Sequence, residues 1–247
     1  MTPNNEHYRR VVQDARKTRF FQCGYADRFD PFTLDASAPA QALYRELFHG
    51  FAHGRSFPRL LDIGCGTGIY FDALSRYAER VDAIDCAPDM IHVAHHYCTT
   101  RALSQFNCIE ASAQKLPFKE QAFDAVIAMD LLHHVDEVET VLDEVYRTMK
   151  PGGRFLVLEP NICNPLMALA HALPREERAA LRRCRPKTLI SILEHRFDTV
   201  GWQGICAFIT HTAGLKRRVL DLYLQACRWL APPGLYPRQA WIGIKRT

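Results

Sequence analysis

The chain has 247 residues, 48% of them apolar and 23% charged, with a formal net charge of +4. That composition supports one sizeable α/β core, and the mild charge argues against the strong basic stripe of a nucleic-acid binder. No window reaches the roughly 18 apolar residues of a membrane span, and the opening MTPNNEHYRRVVQDARKTRF lacks the apolar region of a secretory signal. Cysteines stand at 23, 65, 86, 98, 108, 163, 184, 206 and 227, none of them spaced C-x-x-C. They read as reduced thiols filling space in a cytoplasmic protein.

Residues 1–56 are polar and mixed, and two stretches in them suit helices: VVQDARKTRFF and APAQALYRELFHGF. Asp30-Pro31 breaks the chain between them. From about residue 58 short apolar runs alternate with helical patterns. RLLDI (59–63) reads as a buried strand, GIYFDALSRYA (68–78) as a helix and RVDAID (80–85) as a second strand. PDMIHVAHHYCTTRAL (88–103) is a helix opened by proline. FNCIEAS (106–112) and AFDAVIAMD (122–130) are strands three and four. The apolar spacing 138, 141, 142, 145, 149 predicts a helix that KPGG stops at 150–153, before a fifth strand, RFLVLEP (154–160). WQGICAFI (202–209) and AWIGIKR (240–246) complete a seven-stranded sheet as a hairpin-like edge. The irregular segments 160–190 and 210–239 exceed ordinary loop length and read as substrate-side insertions. The alternation predicts a single α/β domain: a Rossmann-like, doubly wound, mostly parallel sheet (core 57–160) behind a helical N-terminal cap (1–56).

Between the first strand and its helix stand Gly64, Gly66 and Gly68, in RLLDIGCGTGIYFDAL. Glycines there let a ligand approach backbone amides at a helix N-terminus. The dinucleotide fingerprint G-x-G-x-x-G would need a third glycine where Ile69 stands, so the spacing argues against a nicotinamide enzyme. LLDIGCGTG resembles the first motif of class I S-adenosylmethionine-dependent methyltransferases of the small-molecule, methyltransferase-11-like type. DAIDCAPDMI, EASAQKLPF and FDAVIAMDLLHHVDEVETVLDEVYRTMKPGGRFLVLEP resemble that family's later landmarks, in order, from about 58 to 160.

The resemblance implies S-adenosyl-L-methionine as cofactor. Asp85, about 20 residues past the glycines, would accept the ribose hydroxyls. Asp62 would order the loop or meet the cofactor's ammonium, and Met90 and Ile91 would pack on the adenine. Ser112 stands where the family usually has Asp, a weaker acceptor for the adenine amino group, with the Ala113 amide beside it. Cys65, Cys86 and Met129 complete the cofactor wall, and Tyr25 sits where relatives often place an aromatic residue over the cofactor. No lysine or arginine lies in the glycine loop, which suits a cofactor without phosphates.

Strand ends four and five carry the acceptor-side candidates. Asp130, His133 and His134 lie in DLLHHV, and histidine suits general-base work near neutral pH. Capping or packing of the next helix is the plainer reading of both histidines. Glu159, Asn161 and Asn164 in LEPNICNP could hold substrate, although turn chemistry also explains them. His92 and His96 are spaced i, i+4 without an evident third ligand, so no metal site is expected. LKRRVLDLYLQACRWL (215–230) is amphipathic, with Arg217, Asp221, Gln225 and Arg228 on one stripe. It reads as packing on the domain, with lipid contact as the sharper alternative.

The expected function is methyl transfer from S-adenosylmethionine to a small-molecule acceptor, lipid-like, at oxygen or carbon rather than nitrogen. The expected partners are that substrate, with no nucleic acid, no membrane span and at most peripheral membrane contact. The alternatives are a non-catalytic cofactor-binding regulator and, less favoured, an NAD-dependent oxidoreductase.

Overall fold

Seven apolar runs pair into one sheet of order β3-β2-β1-β4-β5-β7-β6. The structure, a computed structural model, describes residues 30–32, 38–172, 178, 180–207 and 214–246. The strands are β1 (Leu60–Ile63), β2 (Val81–Asp85), β3 (Phe106–Glu110), β4 (Phe123–Met129), β5 (Met149–Pro160), β6 (Phe197–Ile205) and β7 (Arg238–Lys245). Neighbours from β3 through β5 are parallel, and β7 runs antiparallel between β5 and β6. This is the expected Rossmann-like fold.

Side-chain alternation along the strands splits the core in two. Leu60, Val81, Ala83, Ile127 and Leu158 face the layer of α1 (Ala38–Ala52), α2 (Phe71–Leu74) and α3 (Pro88–Thr100). Leu61, Ile63, Val126, Phe155 and Trp241 face α4 (Val138–Thr148) and α7 (Pro186–Glu194). Pro88 opens α3, where its missing N–H costs nothing. The spacing read at 138–149 buries Val138, Val141, Leu142 and Val145.

Four boundaries differ from the sequence reading. The helix expected over 68–78 contracts to α2, because Ala78 must bridge to Phe57 before β2 begins at Val81. KPGG does not precede β5 but lies within it: Met149 pairs with Phe123, and the register shifts between Phe123 and Ala125. β6 starts at Phe197 instead of 202, because Phe197, Asp198 and Thr199 find partners in β7. The described part of the segment 160–190 is largely helical, holding α5 (Pro165–Ala172), α6 (Ala180–Arg183) and the start of α7. The amphipathic stretch forms α8 (Gly214–Leu230), followed by a 3-10 turn at Pro233–Leu235. The first predicted N-terminal helix and Tyr25 lie outside the described residues.

Candidate active site

Strand order reverses between β1 and β4, so the crevice beyond the carboxyl ends of β1, β2 and β4 is the expected ligand site. The glycine loop follows β1 there. Gly64, Gly66 and Gly68 have φ of +71°, +55° and +79°, the left-handed region that glycine enters without strain. A side chain on Gly64 would strike Leu131, and one on Gly68 would strike the Phe71 ring. A side chain on Gly66 would meet no atom of the described residues within 4 Å. The first and third glycines serve packing, whereas Gly66 faces open space.

Backbone bonds lock the loop onto β2. The amides of Gly64 and Cys65 both donate to the Ile84 carbonyl, at 2.8 and 2.9 Å. The Gly66 amide donates to Asp85 Oδ2 at 2.9 Å, and the Ala87 amide donates to Asp85 Oδ1 at 2.9 Å. Asp85 is thus aimed by two amides, and each oxygen retains acceptor capacity. Burial raises its pKa, against the amides of Ala87, Gly66 and Cys86.

Asp62 is fully buried at the inner end of the crevice. Its Oδ1 accepts from the Tyr70 hydroxyl at 3.1 Å, and its Oδ2 has no hydrogen-bond partner among the described residues. Desolvation drives its carboxyl well above the usual range; the Tyr70 bond opposes this and the Asp85 charge adds to it. Two carboxylates that both resist ionisation mark a place short of positive charge. An ammonium or sulfonium fits that place, and a phosphate does not.

The remaining wall residues divide. Met90 and Met129 are buried, Ile91 packs against the same core, and Cys65 is buried with its thiol directed at the Gly66 carbonyl. Cys86 is exposed, its thiol pushed up to about 11 by burial of the sulfur and the Asp85 charge. Ser112 is exposed and its hydroxyl accepts from the Gln114 amide at 3.2 Å, which holds the turn after β3. Ala113 is half-buried.

Asp130 follows β4 at φ +54°, its amide bonded to the Leu158 carbonyl at 2.8 Å. The following turn brings His133 against Glu159, with Nδ1 and Oε2 2.5 Å apart. Glu159 Oε1 accepts from the Leu132 amide at 2.6 Å, and the Cys184 thiol donates to Oε2 at 3.5 Å. All three side chains are buried. His134 is half-buried, its ring centroid 3.8 Å from that of His133. His133, Glu159 and Cys184 place ligand-type atoms within 4.8 Å of one another. Burial and the Glu159 charge push the Cys184 thiol up to about 12, so it stays protonated and donates. The three form a hydrogen-bonded cluster, with the His133 ring and the Cys184 thiol both on Glu159 Oε2.

Asn161 and Asn164 are buried tethers. Asn161 donates to the Gly234 carbonyl at 2.9 Å and accepts from the Cys163 amide at 3.0 Å. Asn164 donates to the Leu235 carbonyl at 2.8 Å and accepts from the Met167 amide and the Tyr223 hydroxyl, at 3.1 and 3.0 Å. Both hold the β5–α5 corner to the turn before β7. His92 and His96 are exposed on α3, and no third ligand joins them among the described residues.

Sequence reading missed three contributors. Tyr70 reaches Asp62 from the loop's far end, Cys184 arrives from the α6–α7 connection, and Arg238 of β7 bonds Asp130 Oδ1 at 2.5 Å. Arg238 lies 108 residues from Asp130, so no local pattern could pair them.

Sheet order, glycine loop and the acid that ends β2 together define a Rossmann-like methyltransferase. The chain belongs to the class I S-adenosylmethionine-dependent methyltransferase family. Residues 61–157 match the family described as "Methyltransferase domain". The ubiquinone biosynthesis O-methyltransferase of Paracidovorax citrulli (strain AAC00-1) is 30% identical over 181 residues, 69% of this chain and 76% of that protein. The protein of the same name from Xylella fastidiosa (strain 9a5c) is 36% identical over 99 residues, 40% of each chain. This chain therefore spans under half the length of the first curated relatives it matches. The N-methyltransferase NodS of Bradyrhizobium japonicum WM9, solved with S-adenosyl-L-homocysteine, shares the fold at a TM-score of 0.61 and 15% identity, covering 96% of this chain and 99% of that one.

Proposed function

We propose that the protein binds S-adenosyl-L-methionine along Gly64–Gly68 and Asp85 and transfers its methyl group to a small, lipid-like acceptor, at oxygen or carbon. The observation that carries this is the orphaned Oδ2 of Asp62 behind a glycine loop whose middle residue faces open space. That pairing fits a cationic, phosphate-free adenosine compound. Asp85 grips the ribose, Asp62 answers the ammonium directly or through water, and Met90, Ile91, Met129, Cys65 and Cys86 line the wall. With Ser112 committed to its turn, the Ala113 amide is the better-placed partner for the adenine edge.

When bound, the cofactor supplies a methyl group already activated by a sulfonium. The chain supplies alignment, exclusion of water and a base. Glu159 fixes the His133 ring through Nδ1, which leaves Nε2 as the basic nitrogen of the neutral tautomer. His133 would take the proton of a hydroxyl acceptor as its oxygen attacks the methyl carbon. Helices α5–α8 enter the chain between the end of β5 and the start of β7, and they form the acceptor side. The named roles of the two relatives, O-methylation in ubiquinone biosynthesis, favour oxygen and a lipid quinone-like acceptor. Eight free thiols among the described residues support a reducing, cytoplasmic setting.

Calorimetry with S-adenosylmethionine tests the cofactor half. Asp85→Ala should weaken binding by about 1–3 kcal/mol, the effect of leaving buried donors unpaired. Methyl-labelled cofactor with lipid extract tests the chemistry. His133→Ala should keep cofactor affinity and lose roughly 10²–10⁴ in turnover. Saturable NADH binding in place of S-adenosylmethionine would overturn the cofactor assignment, and tight cofactor binding without any labelled product would leave a binding module.

A further inference from the structure

Helix α8 carries more apolar surface than the domain covers. Its inner face is anchored: Cys227 is buried, the Tyr223 hydroxyl bonds Asn164, and the Leu224 carbonyl accepts from the Cys206 thiol at 3.3 Å. Val219, Leu222, Trp229 and Leu230 point away from it, 57%, 65%, 87% and 85% exposed. With the exposed Ala226 they fall within an arc of about 100° on a helix of 3.6 residues per turn. A soluble surface helix puts charge there; here the charged and polar stripe of Asp221, Gln225 and Arg228 lies to one side. Of the five charged residues in 214–230, four are basic: Lys216, Arg217, Arg218 and Arg228. Arg218 is exposed at the margin of the apolar arc.

We infer that this outer face of α8 seats on an anionic lipid bilayer. Strongly exposed Trp and Leu side chains suit the boundary between headgroups and acyl chains. Arg218 at the margin of the arc complements anionic headgroups, and the net positive charge of the helix adds a longer-range attraction. A second copy of the chain fits less well. One five-residue arc offers roughly a few hundred Å², short of the ~800 Å² per partner that a stable dimer buries, and pairing the arcs would bring two basic helices together. Among the described residues no helix is long and apolar enough to cross a membrane, so attachment through α8 is lateral. The sequence pattern favoured packing of this helix on its own domain. The structure does pack one face, and leaves a second apolar face outward.

The inference stands apart from the acceptor's identity and is tested without it. The full chain is floated with vesicles of phosphatidylcholine, alone or with about a third phosphatidylglycerol. It should partition into the anionic vesicles at least about tenfold more strongly, and less so in high salt. Leu222→Glu with Trp229→Glu should reduce that partition by about tenfold or more while the circular dichroism spectrum stays unchanged. Trp241 is buried and the Trp202 indole bonds Gln239, so a blue shift of emission on adding vesicles should arise at Trp229. Trp229→Phe should abolish the shift and keep flotation. Equal flotation of parent and double variant overturns the inference, as does a parent that floats with neither vesicle. Self-association abolished by the double substitution, without vesicle binding, gives the face to a second copy instead. Cofactor calorimetry on the same preparations reads the methyltransferase function separately.

Discussion

Asp62 holds a carboxylate where burial opposes its charge and Tyr70 supplies a single donor. Its folded pKa is raised, so the folded state binds this proton more tightly than the unfolded chain does. Stability from this group is therefore full below the unfolded value of about 3.9 and is lost as pH rises through the raised folded value. Asp62→Asn removes that loss. At neutral pH the variant should unfold about 1–3 kcal/mol less readily, a Tm higher by roughly 2–10 °C, and should bind S-adenosylmethionine more weakly. A Tm at or below that of the parent, with affinity kept, would strip Asp62 of its role. The residues legible in sequence were those fixed by local geometry. Three glycines must take positive φ within five positions, and Asp85 follows at the end of the next strand. Tyr70, Cys184 and Arg238 were not legible, because each matters only through a partner that the fold brings near.

At the scale of elements, helix and strand types followed the apolar periodicity, while their ends did not. The start of β6 depends on β7, and the extension of β5 through KPGG depends on Phe123, so neither is written in the local segment. Asn161 and Asn164 show the same limit. Their sequence context allowed turn or substrate chemistry, and the structure binds both amides to backbone across the α5–α8 region. Asn164→Ala leaves the Met167 amide, the Leu235 carbonyl and the Tyr223 hydroxyl without that partner. The expected loss is roughly 2–3 kcal/mol. Hydrogen exchange should quicken in α5 and α8 before β1–β4, and uniform exchange across the sheet would contradict a tethering role.

For the molecule as a whole, closure depends on one missing side chain. The Trp241 ring lies over Gly243, where a Cβ would stand 2.1 Å from it. Trp241 cannot give way easily. It meets Phe155 and Phe197 edge-on, and its indole N–H donates to Thr199 Oγ1 at 2.9 Å. Gly243→Ala should cost about 2–3 kcal/mol by overpacking, a Tm fall of roughly 4–12 °C. A Tm unchanged within about a degree would show the ring to be mobile. The sheet order itself was open in the sequence only as far as a parallel core with a late hairpin; the insertion of β7 between β5 and β6 is tertiary information.

That insertion has a consequence for synthesis. β7 follows the six other strands of the sheet in sequence, yet it fills an inner place, with β5 on one side and β6 on the other. While a ribosome is still making residues 161–237, the nascent chain already holds β1–β5, but β5 has an open edge and β6 has no sheet partner. Such an edge recruits stray strands. The interval between the two halves of this fold is where the growing polypeptide most needs chaperone cover.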